Sequence, residues 1–124
     1  YETLSAVWPD PQVLKWAEVL SRLDRPPAYA VTIGVAAAAA GIPLRPALVA
    51  YLHALAANLV SAGVRLVPLG QTDGQLTLAA LEAPVHAAAD NALRRPIDDF
   101  GACAPMVDWT SMQHETQYTR LFRS

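Results

Sequence analysis

The chain has 124 residues, enough for one hydrophobic core and not comfortably for two. Hydrophobic residues make up 53% and charged residues 16%, against about a quarter charged in ordinary soluble domains, so the apolar surface exceeds what a small monomer readily hides and implies either a large partner interface or a membrane segment. The formal net charge is -2 and no basic block occurs, which excludes the electrostatic footprint of a nucleic-acid binder.

The opening Tyr1-Glu2-Thr3-Leu4 lacks the basic and apolar regions of a signal peptide. It also lacks an initiator methionine, which reads as a fragment. The first expected helix opens at Asp10-Pro11, with Asp as N-cap and Pro at the first helical position. Val13, Trp16, Ala17 and Leu20 recur at helical spacing, and Arg25-Pro26-Pro27 stops the run. A second, uncharged helix is expected from Ala28 to Ala40. Its alanine run favours helix, Gly41 stands where a C′ glycine belongs and Pro43 follows. The third begins between Pro43 and Pro46 and runs to Leu66. Leu48, Leu52, Leu55, Leu59, Ala62 and Leu66 form one stripe on it, and Ala50, Ala54, Ala57 and Ser61 form a second, of small residues. Packing inside a bundle is the favoured role for both.

Val67-Pro68-Leu69-Gly70 breaks the chain. Thr72-Asp73-Gly74-Gln75 reads as a capping box, with hydroxyl and carboxamide satisfying each other's backbone N–H. The helix it opens passes through Leu76, Ala79, Ala80 and Ala83, and Pro84 is expected to kink or divide it. Arg94 and Arg95 then suit a helix C-terminus. Residues 97–104, with Asp98-Asp99 and Gly101, read as a loop. A short helix is expected over Pro105–Gln113 with Met106 and Trp109 inward. The whole is an all-α bundle of four to six helices over residues 1–113, followed by a tail over 114–124.

A membrane hairpin is the main alternative. Residues 26–44 and 46–64 carry no charge, and each approaches the ~20 apolar residues that span a bilayer. Flanking prolines, the polar His53, Asn58 and Ser61, and the lack of an aromatic belt weigh against it.

Chemistry is sparse. No G-x-x-x-x-G-K-[ST] loop, C-x-x-C or H-x-x-x-H occurs. His53, His86, Cys103 and His114 are candidate metal ligands that nothing in the sequence brings together. His53 reads better as a packed histidine and His86 as a solvated one. As the only cysteine, Cys103 cannot form an intramolecular disulfide, and it reads better as an inert small hydrophobe than as a soft-metal ligand. A Cys103/His114 nucleophile pair and paired Asp98/Asp99 carboxylates are weak signals, so no active site is expected. Lys15 is the only lysine. The arginines suit bidentate contacts at interfaces, although genome composition explains them as well.

Two segments hold more information than packing requires: residues 58–75 (NLVSAGVRLVPLGQTDGQ) and 111–124 (SMQHETQYTRLFRS). Both resemble signature stretches of the urease accessory protein UreF family, and H-E-T-Q-Y-x-R-L-F-R-S is the more specific. Asp98-Asp99-Phe100-Gly101 also fits, with Cys103 where the family often has serine or threonine. The resemblance is strongest from Gly41 to Ser124. The family's amino-terminal half, with its L-P-x-G-x-[FY]-S motif, has no counterpart.

The resemblance implies an all-helical, cytoplasmic, non-catalytic protein, usually a homodimer. It implies binding to UreD (also called UreH), recruitment of the GTPase UreG and action on the urease apoprotein. Nickel would be handled by the complex and no cofactor held directly; neither nucleic acid nor membrane is expected as a partner. On this reading the tail residues His114, Glu115, Tyr118, Arg120, Leu121, Phe122 and Arg123 form a docking element. Tyr118, Leu121 and Phe122 would share one helical face, and Arg120 and Arg123 would meet acidic groups. The alternative is a tail that caps the chain's own bundle. Gln71, which helix capping leaves unexplained, and Arg65, which suits either a helix terminus or an interface, complete the candidate contacts.

Overall fold

In the computed structural model the described residues are 2–23, 26–67, 69–99, 101 and 103–118. They contain no strand: the fold is all-α, with six helices of ten or more residues, α2–α7, and a shorter α1 (Glu2–Val7) that the sequence reading did not foresee. Two units, Tyr1–Arg94 and Arg95–Ser124, divide the chain.

In the first unit, the Asp10 carboxylate accepts the N–H groups of Gln12 (2.8 Å) and Val13 (3.4 Å) and opens α2 (Pro11–Ser21) as expected. Val13 and Leu20 are buried, and Trp16 and Ala17 between them are half-buried, so the expected stripe is the packed face. α3 (Tyr29–Ala39) ends in a Schellman motif. The Ile42 N–H donates to the Ala37 carbonyl (2.9 Å) and the Gly41 N–H to that of Ala38 (3.0 Å). Gly41 has φ 68°, the left-handed conformation that favours glycine.

α4 (Leu44–Leu66) is the hub, against which α3, α5 and α6 all pack. Its half-buried positions include Val49, Leu52, Ala56, Val60 and Val64. The expected leucine stripe is therefore only partly the packed one: Leu55, Leu59 and Leu66 are 50%, 67% and 53% exposed. In the small-residue stripe Ala57 is half-buried while Ala50, Ala54 and Ser61 are exposed. Between Arg45 and Arg65 the helix carries no charge to mark its outside, so its packing partners decide which side turns in.

α5 (Gln71–Ala80) starts earlier than the Thr72 capping box requires. Its N-cap is Gly70, whose N–H donates to the Asp73 carboxylate (2.9 Å); glycine has no side chain to reciprocate, so only half of a capping box forms. This start places Gly74 within the helix, buried, where an added Cβ would lie 3.0 Å from Val64 Cγ2. Pro84 divides rather than kinks. α5 closes at Leu81 and α6 (Glu82–Arg94) takes Pro84 into its first turn, where a missing N–H costs little.

On α6, Val85 and Ala89, one turn apart, are buried. Arg45 at the start of α4 donates from Nε (2.9 Å) and a terminal nitrogen (3.2 Å) to the two Asp90 oxygens, joining positions 45 residues apart. That hydrogen bond is the main cause holding the Asp90 carboxyl below its ordinary range, and the same contact raises Arg45.

In the second unit, Arg95 pairs with Asp99 (3.5 Å). α7 (Pro105–Glu115) has Pro105 at its first position, and the Val107 and Asp108 N–H groups donate to the Ala104 carbonyl. The helix runs two residues beyond the expected end, so His114 and Glu115 complete its last turn. Met106 and Trp109 are not inward: they are 70% and 56% exposed. A single eleven-residue helix offers no second apolar surface of its own to cover them.

By length and composition, α4 is the one described helix able to cross a membrane. α3, at eleven residues, rises only about 17 Å, short of the ~30 Å hydrocarbon core.

Candidate interaction site

A candidate site lies where α4 ends and α5 begins. Gly74 lets the two helices approach closely, and beside that contact lies a cleft of about 320 Å³. Half-buried Val60, Val64 and Leu78 make its floor, and exposed Ser61, Arg65, Gln71 and Gln75 its rim. The Arg65 guanidinium donates to the Ser61 hydroxyl one turn earlier (3.0 Å), which lays the side chain along α4. Arg65 and Gln71, singled out separately in the sequence, thus share one cleft across the 67–70 break. Ser61 and Gln75 escaped the sequence reading as contacts because each had a structural role already assigned: the small-residue stripe and the capping box.

A second groove, of about 430 Å³, has Val49, Leu78, Ala79 and Val85 as apolar lining and His53, Gln75, Glu82 and His86 as polar lining. It brings His53 and His86 to one surface, His53 exposed and His86 half-buried. Among the described residues no trio of His, Cys, Asp or Glu is placed to hold a metal ion. Cys103 is a free, exposed thiol.

Of the expected docking residues, His114 and Glu115 are exposed at the end of α7. Tyr118 follows the helix, outside regular structure, and is fully exposed. Arg120, Leu121, Phe122 and Arg123 lie outside the described residues, and so does the helical face they were expected to share with Tyr118.

Apolar exposure surrounds these features. Only Val13, Leu20, Val85 and Ala89 are buried hydrophobics among the described residues, whereas twenty-two large apolar or aromatic side chains are exposed. Scattered exposed apolar residues are ordinary on any surface, but a run such as Leu55, Leu59 and Leu66 on one helix is the mark of a contact surface.

Comparison with known proteins gives a consistent family. The UreF family model matches residues 1–82, so the likeness begins well before Gly41, where the sequence reading placed its strong part. The urease accessory protein UreF of Granulibacter bethesdensis is 51% identical over 123 residues, covering 99% of this chain and 51% of that protein. UreF of a Bradyrhizobium species is 55% identical over 96 residues (77% of this chain, 40% of the relative). UreF of Rhodopseudomonas palustris strain BisB5 is 55% identical over 97 residues (78% and 40%). The chain therefore spans about half the length, or less, of the curated relatives it matches.

Proposed function

Since the chain belongs to the UreF family of urease accessory proteins, we propose that it acts as a non-catalytic scaffold for nickel insertion into the urease apoprotein. In this role it binds a UreD/UreH-type accessory protein, and the pair recruits a UreG-type GTPase. Nucleotide hydrolysis belongs to the GTPase, and nickel is handled by the assembled complex without a resident cofactor on this chain. The setting is the cytoplasm, the working form a homodimer, and neither membrane nor nucleic acid is a partner.

One observation carries the scaffold reading beyond family membership: four buried hydrophobic side chains against twenty-two exposed large ones among the described residues. Burial of apolar area is the main favourable term in both folding and association. A chain that leaves so much of it uncovered gains free energy by docking, and the polar cleft at Arg65 and Gln71 supplies the directional contacts that apolar area lacks. The tail from His114 to Ser124 is the docking element for the UreD-type partner, with Tyr118, Arg120, Leu121, Phe122 and Arg123 as its contacts.

The test is co-purification of the chain with the UreD-type protein, with and without residues 114–124. The full chain is expected to form the complex and the truncated one to lose it. Undiminished binding after truncation refutes the tail assignment, and no binding by the full chain refutes the scaffold.

A further inference from the structure

We propose that the groove where α4, α5 and α6 meet is a receptor for an arginine side chain presented by a protein partner. Its floor is apolar, with Val49 and Leu78 half-buried and Val85 buried. Its rim holds the Glu82 carboxylate, the Gln75 carboxamide and the imidazoles of His53 and His86, and among the described residues neither lysine nor arginine lines it. Each of these rim groups can accept a hydrogen bond: a carboxylate only accepts, a carboxamide accepts through its oxygen, and a neutral imidazole keeps one nitrogen for the purpose. The complement of such a rim is a cation with many donors, no acceptor and an apolar stem.

Three features narrow the occupant. Among the described residues Glu82 enters no ion pair, whereas Asp90, two turns further along α6, is already held by Arg45. The groove therefore carries an acid whose charge a partner can match. The acceptors also stand on three different helices: His53 on α4, Gln75 on α5, Glu82 and His86 on α6. A guanidinium, with five N–H donors in a planar fork, serves acceptors on several sides at once, whereas an ammonium is a compact point charge with three. Its methylenes lie along the floor while the charged head stays at the wet rim. Finally, Gln75 and Leu78 line both this groove, of about 430 Å³, and the cleft of about 320 Å³ at Ser61 and Gln71. The depression thus continues past the space of one side chain, which suits an arginine with polypeptide on either side over a free small cation. The choice of partner rests on the scaffold reading; the chemistry of the groove stands apart from it.

The experiment has two arms. In the first, the isotope-labelled full chain is titrated with acetyl-Gly-Arg-Gly-amide, with its citrulline and lysine counterparts and with agmatine, at matched ionic strength. NMR follows the Gln75 carboxamide and the Leu78 and Val85 methyl signals. The arginine peptide is expected to shift all three saturably, the neutral citrulline peptide to leave them in place, and the lysine peptide and agmatine to bind more weakly. Glu82→Gln should weaken the arginine peptide by between about fivefold and thirtyfold, Glu82→Asp should recover part, and Gln75→Ala should weaken it less. Glu82 is exposed, and an unchanged circular-dichroism spectrum of Glu82→Gln separates lost recognition from lost fold. Equal response to the arginine and citrulline peptides, lysine peptide or agmatine binding as tight as the arginine peptide, or indifference to Glu82→Gln overturns the proposal.

In the second arm, Glu82→Gln and wild type are compared for affinity to the UreD-type protein, the UreG-type GTPase and the urease apoprotein in turn. A loss of the same size toward one of them supports a protein source, and unchanged affinity toward all three overturns it. If wild type binds none, the scaffold reading falls while the peptide titration still judges the groove.

Discussion

Glycine-to-alanine substitution at two helical positions tests how α4 and α5 meet. Gly63 on α4 has no atom within 4 Å of where a Cβ would stand, whereas at Gly74 on α5 that Cβ lies 3.0 Å from Val64 Cγ2 and 3.7 Å from Val60 Cγ1. Inside a helix, alanine is favoured over glycine by about 1 kcal/mol; Gly63→Ala should gain roughly that much. At Gly74 the same gain is set against a carbon–carbon contact shorter than the optimal ~3.5–4.0 Å. Val64 is β-branched and on a helix, with one strongly preferred χ1, so its methyl cannot swing clear. Overpacking of this kind costs about 1–3 kcal/mol, which leaves Gly74→Ala between neutral and about 2 kcal/mol less stable than the parent. The two variants should then differ in urea unfolding, followed by far-ultraviolet circular dichroism, by about 1–3 kcal/mol, or roughly 4–10 °C in Tm. In a Val64→Ala background the offending methyl is gone, and Gly74→Ala should recover its full helical gain. The reasoning fails if Gly74→Ala stabilises the parent as much as Gly63→Ala does, or if Val64→Ala leaves its effect unchanged.

Asp10→Ala removes the cap from α2 and should cost about 1 kcal/mol by the same unfolding assay. Gly41→Ala forces a side chain into the left-handed conformation and should cost about 1–2 kcal/mol, with Gly41→Asn milder because asparagine tolerates that region. The Arg45–Asp90 pair gives an acid signature. Because the folded Asp90 carboxyl titrates below its ordinary value, its contribution is complete above the ordinary carboxylate pKa and disappears as pH falls through the lowered one. Between neutral pH and strong acid, wild type should therefore lose more Tm than Asp90→Asn, and parallel curves would show that the pair does not form. Leu59→Gln, at a site 67% exposed, should change the stability of the free chain by less than about 0.5 kcal/mol while lowering its tendency to associate, read by light scattering.

The backbone plan was written locally. Asp10-Pro11, the alanine run ending at Gly41 and the Pro84 division each depend on the conformational range of one or two residues, and each lies where the sequence places it. The start of α5 was misread because two overlapping patterns compete, Thr72 with Gln75 and Gly70 with Asp73. The second coincides with the burial of Gly74 against Val64, a contact between helices that spacing alone does not display. The orientation of α4 was unreadable for a related reason: from residue 46 to residue 64 it carries no charge that would mark an outer face. As for the site, Gln71 stood out as a residue that capping leaves unexplained and Arg65 as one that suits either a helix terminus or an interface, but their convergence needed the helix crossing.

The order of packing has a kinetic consequence. Among the principal helix pairs of the first unit, all but α4 with α6 join sequence neighbours, and chains dominated by such short-range contacts search few arrangements and fold fast. A polypeptide leaving the ribosome can condense one hairpin at a time, each new helix settling on the last. Only the return of α6 to α4, sealed by Arg45 and Asp90, must await the synthesis of a long intervening stretch. That late closure sets the moment at which the nascent first unit completes its inner face.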